Sequence, residues 1–175
     1  MLMISINDIP KTEQHTHAHK LLRECLKPYD IKYSENTTII KNKYGKPSLV
    51  ENQKIKYNIS HADGISACIV TCKECGIDCE NVRKFRPNVM KRAFSESETE
   101  LVLSASEAER DLLFFRLWTL KEAYIKAIGM GLSYPMKKVC FTFENNVINS
   151  NIQGYKFRQY ILHNKKFIVS VAVEL

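Results

Sequence analysis

The sequence holds 175 residues, 45% hydrophobic and 26% charged, a balance that suits a folded core and excludes intrinsic disorder. Lys and Arg number 26 against 19 Asp and Glu, a net charge of +7 that favours anionic partners such as phosphorylated ligands, acidic proteins or nucleic acid. No apolar run is long enough to span a bilayer, and no zinc finger, RNA-recognition signature or continuous basic helix supports a nucleic-acid role. Residues 1–9 lack the charged start and long apolar centre of a secretory signal, so a cytoplasmic location with no membrane or nucleic-acid partner is expected.

Residues 3–7 read as a short strand, and residues 15–26 as a helix with Leu21, Leu22 and Cys25 on one face. His15, His17, His19 and Lys20 give that helix a cationic start, which suits a solvated or phosphate-facing edge because helical residues two apart diverge. Residues 37–42 are a strand candidate, followed by the turn Tyr44-Gly45-Lys46-Pro47. Residues 55–59 form another strand, ending in Ser60-His61; no nucleophile-elbow pattern surrounds Ser60.

Residues 65–71 read as a buried strand, and Gly76-Ile77-Asp78-Cys79-Glu80 follows it. Cys68, Cys72, Cys75 and Cys79 lie within this stretch. The spacing Cys68-x3-Cys72-x2-Cys75 matches a radical iron–sulfur loop, but Cys68 and Cys72 fall at and just beyond the end of a strand rather than in an open loop. Buried free thiols are therefore expected, with a metal or cluster site as the alternative.

Residues 81–92 are basic, with Phe85 and Phe94 as candidate apolar anchors for an acidic partner; a solvated loop is the alternative. Residues 95–104 form a helix opened by the capping box Ser95-x-x-Glu98, and Ser106 to Glu109 repeats the signature. A long helix then runs from near Ser106 to Gly129, with Leu113, Leu117, Leu120 and Tyr124 on its buried face. Gly129 and Gly131 end it. Residues 138–144, 155–162 and 167–173 are strands, the last two joined as a hairpin.

Three carboxylates stand out. Asp78 and Glu80 are two apart, so a strand projects both from one face. Glu122 and Lys126 are four apart, so they share a helix face, where a plain surface ion pair is the bland alternative. Together Asp78, Glu80 and Glu122 make an oxygen-rich set suited to Mg²⁺.

The order Gly45-Lys46-Pro47, Asn58-Ile59-Ser60-His61, Gly76-Ile77-Asp78-Cys79-Glu80 and Trp118-Thr119-Leu120-Lys121-Glu122-Ala123-Tyr124-Ile125-Lys126 resembles the Sfp-type 4′-phosphopantetheinyl transferases, over residues 15–145. The resemblance implies an α+β fold of two similar halves related by a pseudo-twofold. They would span residues 1–74 and 75–175, the second carrying the metal-binding carboxylates. It implies transfer of 4′-phosphopantetheine from CoA to a serine of an acidic acyl, polyketide or peptidyl carrier protein, releasing adenosine 3′,5′-bisphosphate, by a monomer.

By the same resemblance, Asp78, Glu80 and Glu122 hold Mg²⁺, and Glu122 takes the serine proton, directly or through water. Lys126 and Lys121 balance the leaving phosphate, while Gly45, Lys46, Pro47, Ser60, His61, His19 and Lys20 contact CoA. Only fourteen residues precede His15, with Lys11 the one basic residue among them, so a weaker grip on the CoA 3′-phosphate than in longer relatives is expected. Two other classes are compatible: a CoA-binding module that does not transfer, and a metal protein built on the cysteines.

Overall fold

The computed structural model describes residues 1–145 and 147–175, without the side chains of Lys11 and Leu132; the expectation resting on Lys11 thus lies outside the described residues. The chain opens with β1 (Leu2–Ile6) and α1 (Gln14–Leu26). A small hairpin follows, β2 (Ile39–Lys41) with β3 (Pro47–Leu49), then a longer one, β4 (Lys56–Ala62) with β5 (Ile65–Thr71). The same series then recurs. β6 (Cys75–Asn81) leads into α2 (Pro87–Ala93), α3 (Glu96–Ser104) and α4 (Glu107–Ile128). The small hairpin is now β7 (Phe141–Glu144) with β8 (Val147–Ser150), and the longer one β9 (Tyr155–Leu162) with β10 (Phe167–Glu174).

The two main sheets have the orders β1-β5-β4 and β6-β10-β9, with every pairing antiparallel. In each, the final strand returns between the other two. One α+β unit is thus built twice, as the expected fold class requires.

Strand alternation divides the core into layers. Cys68 and Val70 of β5 face α1, where Leu22, Cys25 and Leu26 are fully buried. Ile65, Ala67 and Ile69 face the other way and meet Cys75, Ile77 and Cys79 of β6 and Phe167, Val169 and Val171 of β10 between the sheets. On the far side of the second sheet, Ile168 and Ala172 pack under Leu117, Leu120 and Ala123 of α4. Cys68 therefore points into a different core from Cys75 and Cys79, Cys72 is exposed, and all the cysteines are free thiols.

Several expectations change. Ser60 and His61 lie inside β4 rather than after it, and β7 begins only at Phe141, after a 3₁₀ turn at Met136–Lys138. The β8 strand has too few apolar residues to have been read from sequence. Phe94 is 2% exposed and stacks on Phe114, so it is a core residue and not an anchor. The capping box at Ser95 forms, with Glu98 accepting from the Ser95 N–H at 2.9 Å. At Ser106 it does not: the hydroxyl donates to the Glu109 carboxylate at 2.7 Å, leaving the backbone uncapped by a side chain. Gly129 and Gly131 end α4 at φ of 67° and 56°, in the left-handed region that glycine enters without steric cost.

Candidate active site

The site forms where α4 crosses β6. The two backbones come so close at Gly76 that a Cβ there would sit 2.0 Å from the Ala123 carbonyl oxygen and 2.4 Å from the Ala127 nitrogen. Only glycine fits, and Ala123 and Ala127 keep the helix side equally thin. This approach brings the Asp78 and Glu80 face of β6 against the Glu122 and Lys126 face of α4.

Asp78 is 6% exposed and is the centre of the cluster. Its Oδ1 accepts from Lys126 Nζ at 2.6 Å and from Ser60 Oγ at 3.0 Å. Its Oδ2 is buried with no hydrogen-bond partner among the described residues. Burial pulls the Lys126 ammonium down, but Asp78, with Glu122 behind it, more than offsets that and holds it above its ordinary value. Glu122 shows the opposite balance. Burial, then the negative charge of Asp78, push its pKa up to about 7, with Glu80 adding to the rise and Lys126 opposing it. Burial likewise raises Glu80, against the pull of Arg83.

Three mutually repelling, partly desolvated carboxylates with one orphaned oxygen are a donor set for a hard divalent cation. Among the described residues, no three His, Cys, Asp or Glu side chains converge closely enough to hold a metal. The reason is visible in the ion pairs: Glu80 is turned to Arg83 at 2.8 Å, and Asp78 to Lys126. The Glu80–Arg83 pair is solvent-facing, with the arginine 49% exposed, so breaking it costs little. The donor chemistry of these residues fits such an ion.

Asn58 was not singled out as a site residue, yet it ties the sheets together. Its Oδ1 accepts from Ile77 N at 2.9 Å, while Ser60 Oγ accepts from Cys79 N at 3.2 Å and from Lys126 Nζ at 3.1 Å. Side chains of β4 thus satisfy the edge N–H groups of β6, in place of strand pairing. The alternation Asn58-x-Ser60 opposite Ile77-x-Cys79 was the available signal, but it means nothing until the two strands are known to be neighbours.

Alternation also separates Ser60 from His61. Ser60 points to α4, whereas His61 joins His15 and His19 of α1, with ring centroids 5.7 Å apart for His15–His61 and 4.6 Å for His15–His19. Burial, then the nearby imidazoles, hold His19 and His61 below the ordinary histidine value, and Lys126 adds to the effect at His61. His19 is further fixed by Tyr33 at 2.8 Å, while His17 turns away to Ser5. Lys20 is exposed, about 100° round the helix from His19.

Two lysines have partners that the sequence did not indicate. Lys46 is bound to Glu74 at 2.5 Å and to the Ala127 carbonyl, so the Gly45-Lys46-Pro47 turn caps the C-terminal end of α4. Lys121 is fully buried in an ion pair with Glu98 at 2.7 Å, on the flank of α4 away from Asp78. It cannot balance a phosphate there, and that expectation is withdrawn. Helical geometry explains it: neighbours in sequence leave a helix about 100° apart, so Lys121 and Glu122 face different layers.

Comparison with known proteins agrees with these motifs. The family model of the 4′-phosphopantetheinyl transferase superfamily matches residues 74–172. The transferase gsp of Aneurinibacillus migulanus is 37% identical over 103 residues, covering 59% of this chain and 43% of that protein. Sfp of Bacillus subtilis is 33% identical over 107 residues, 61% of this chain and 45% of that one. The mouse L-aminoadipate-semialdehyde dehydrogenase-phosphopantetheinyl transferase is 31% identical over 159 residues, 84% of this chain and 50% of that one. The chain therefore spans about half the length of the curated relatives it matches. Among solved structures, the holo-[acyl-carrier-protein] synthase of Thermotoga maritima overlaps 58% of this chain and 62% of its own, at 25% identity and a TM-score of 0.48. On the family match and the motifs it contains, this chain belongs to the 4′-phosphopantetheinyl transferase superfamily, as a member of its Sfp type.

Proposed function

We propose that this protein transfers 4′-phosphopantetheine from CoA to a serine of an acyl, polyketide or peptidyl carrier protein. The observation that carries the proposal is the Asp78, Glu80 and Glu122 cluster, with the orphaned Asp78 Oδ2, inside the region that matches the family. Residues 1–74 and 75–175 would act as its two halves, with CoA between them.

A Mg²⁺ ion held by Asp78, Glu80 and Glu122 would supply charge neutralisation at the pyrophosphate. The chain's own groups do the rest. Glu122, directly or through water, would accept the serine proton. The serine oxygen forms its bond to the β-phosphorus of CoA as the pyrophosphate P–O bond breaks, releasing adenosine 3′,5′-bisphosphate. Lys126, held on Asp78 and Ser60, keeps positive charge beside the transferred group. His15, His19 and His61, clustered on the other side of β4, would contact the donor phosphates. The exposed Lys84, Arg86, Lys91 and Arg92 give an acidic carrier a surface to approach.

Asp78→Asn keeps the hydrogen-bonding outline and removes the charge. With labelled CoA, Mg²⁺ and an apo carrier, it should lower the transfer rate by at least about a hundredfold while the far-UV spectrum stays that of the wild type, since cluster charge acts on the reacting groups at close range. Wild-type turnover by Asp78→Asn would refute the site. A chain that only binds CoA would instead retain the label without passing it on.

A further inference from the structure

We propose that the buried Lys121–Glu98 pair is a positioning device: it fixes the rotation of α4 about its axis so that Glu122 points at Asp78. This rests on the transferase reading and names a residue role beyond it.

Lys121 is 0% and Glu98 1% exposed. The ammonium donates to Glu98 Oε2 at 2.7 Å, to the Met136 carbonyl at 3.0 Å and to the Val139 carbonyl. Glu98 in turn accepts from the Phe141 N–H at 3.0 Å and from the Ser95 N–H at 2.9 Å. One side chain of α4 is thereby tied to α3, to the 3₁₀ turn at Met136–Lys138 and to β7.

Such a pair is a poor source of net stability, because desolvating both charges offsets most of their attraction; its better-attested use is to set register. Here there is a register to set. At Gly76 the helix meets β6 backbone to backbone, with no side chain between them to mesh as a ridge in a groove. Apolar packing of Leu117, Leu120 and Ala123 on Ile168 and Ala172, with the Thr119–Ser170 hydrogen bond at 2.7 Å, seats α4 on β10. Polar ties on the two flanks of the Gly76 crossing add directional resistance to a turn of α4 about its own axis. Lys126 on Asp78 holds one, and Lys121 on Glu98 holds the other. Glu122 lies between them in sequence, so a few degrees of rotation swing its carboxylate relative to Asp78.

Lys121→Met removes the charge at similar length, and Glu98→Gln keeps acceptors for the two N–H groups should Lys121→Met fail to fold. Two readouts apply to each: the Mg²⁺ concentration at half-maximal rise in melting temperature, and KM for CoA against kcat. Misplacing Glu122 should raise the Mg²⁺ midpoint about tenfold, the scale for removing a residue that orients a metal ligand, and lower kcat with KM for CoA nearly unchanged. A raised KM for CoA with an unmoved Mg²⁺ midpoint would overturn the proposal, because the pair would then act on the CoA site and not on Glu122. A lower melting temperature with unchanged midpoint and kcat would overturn it too, leaving plain scaffolding. A wild type that responds to Mg²⁺ but transfers nothing would refute the transferase reading, while the midpoints still decide this one.

Discussion

Glu122 is pressed from several sides: burial, then the charge of Asp78, then that of Glu80 push it towards protonation, and only Lys126 pulls back. An unfolded glutamate titrates near 4.3, the folded one at about 7. Between those values the folded state binds the extra proton. Stability from this group is therefore complete below about pH 4 and is lost as pH rises through about 7. Glu122→Gln should be the more stable protein at pH 8, by on the order of 1 kcal/mol, and the difference should vanish near pH 4. Divalent-ion binding needs the ionised form, so the Mg²⁺-dependent gain in melting temperature should grow from pH 5.5 to pH 7.5 in the wild type. Denaturant titrations of both proteins across this range, with and without Mg²⁺, test both statements. A difference between wild type and Glu122→Gln that ignores pH would show that the carboxylate is not desolvated. The residue type and spacing of the cluster were legible in the sequence. Its charge state was not, because burial is set by helix α4 lying on strand β6, far apart in the chain.

Among the elements, the crossing of α4 over β6 matters most. Both elements were legible before the fold was known: an uninterrupted run of helix formers ended by Gly129, and an acidic alternation after a buried strand. Nothing in the spacing singled out Gly76, where any side chain would collide with the backbone of α4. Gly76→Ala should cost on the order of 3 kcal/mol, the upper end for overpacking, because both facing atoms are backbone and cannot step aside. Urea unfolding measures it; a loss below about 1 kcal/mol would mean that α4 can lift without penalty. Because lifting α4 also parts Glu122 from Asp78, the same variant should lose its Mg²⁺ response. The caps show a smaller limit of sequence reading. Ser95 and Ser106 carry the same signature and both hydroxyls donate to the glutamate three residues on, yet only Ser95 also accepts the backbone N–H that closes the box.

At the scale of the whole molecule, two units of the same topology meet through Asn58 and Ser60. Periodicity revealed most strands and helices one at a time; it could not reveal that β4 lies beside β6, nor that alternation sends Ser60 and His61 to opposite sides of that strand. The exposed Lys84, Arg86, Lys91 and Arg92 act through long-range attraction, which salt screens. KM for a carrier should therefore rise several-fold between low and physiological salt, with KM for CoA much less affected; a salt-independent carrier KM would remove this surface from the account. The central claim is group transfer itself, and intact mass spectrometry of a panel of apo carrier proteins, incubated with this chain, CoA and Mg²⁺, tests it most directly. At least one carrier should gain the mass of a single phosphopantetheinyl group, with one adenosine 3′,5′-bisphosphate released per carrier and no gain when EDTA is present. An unchanged mass across a panel that a known transferase modifies fully would contradict it.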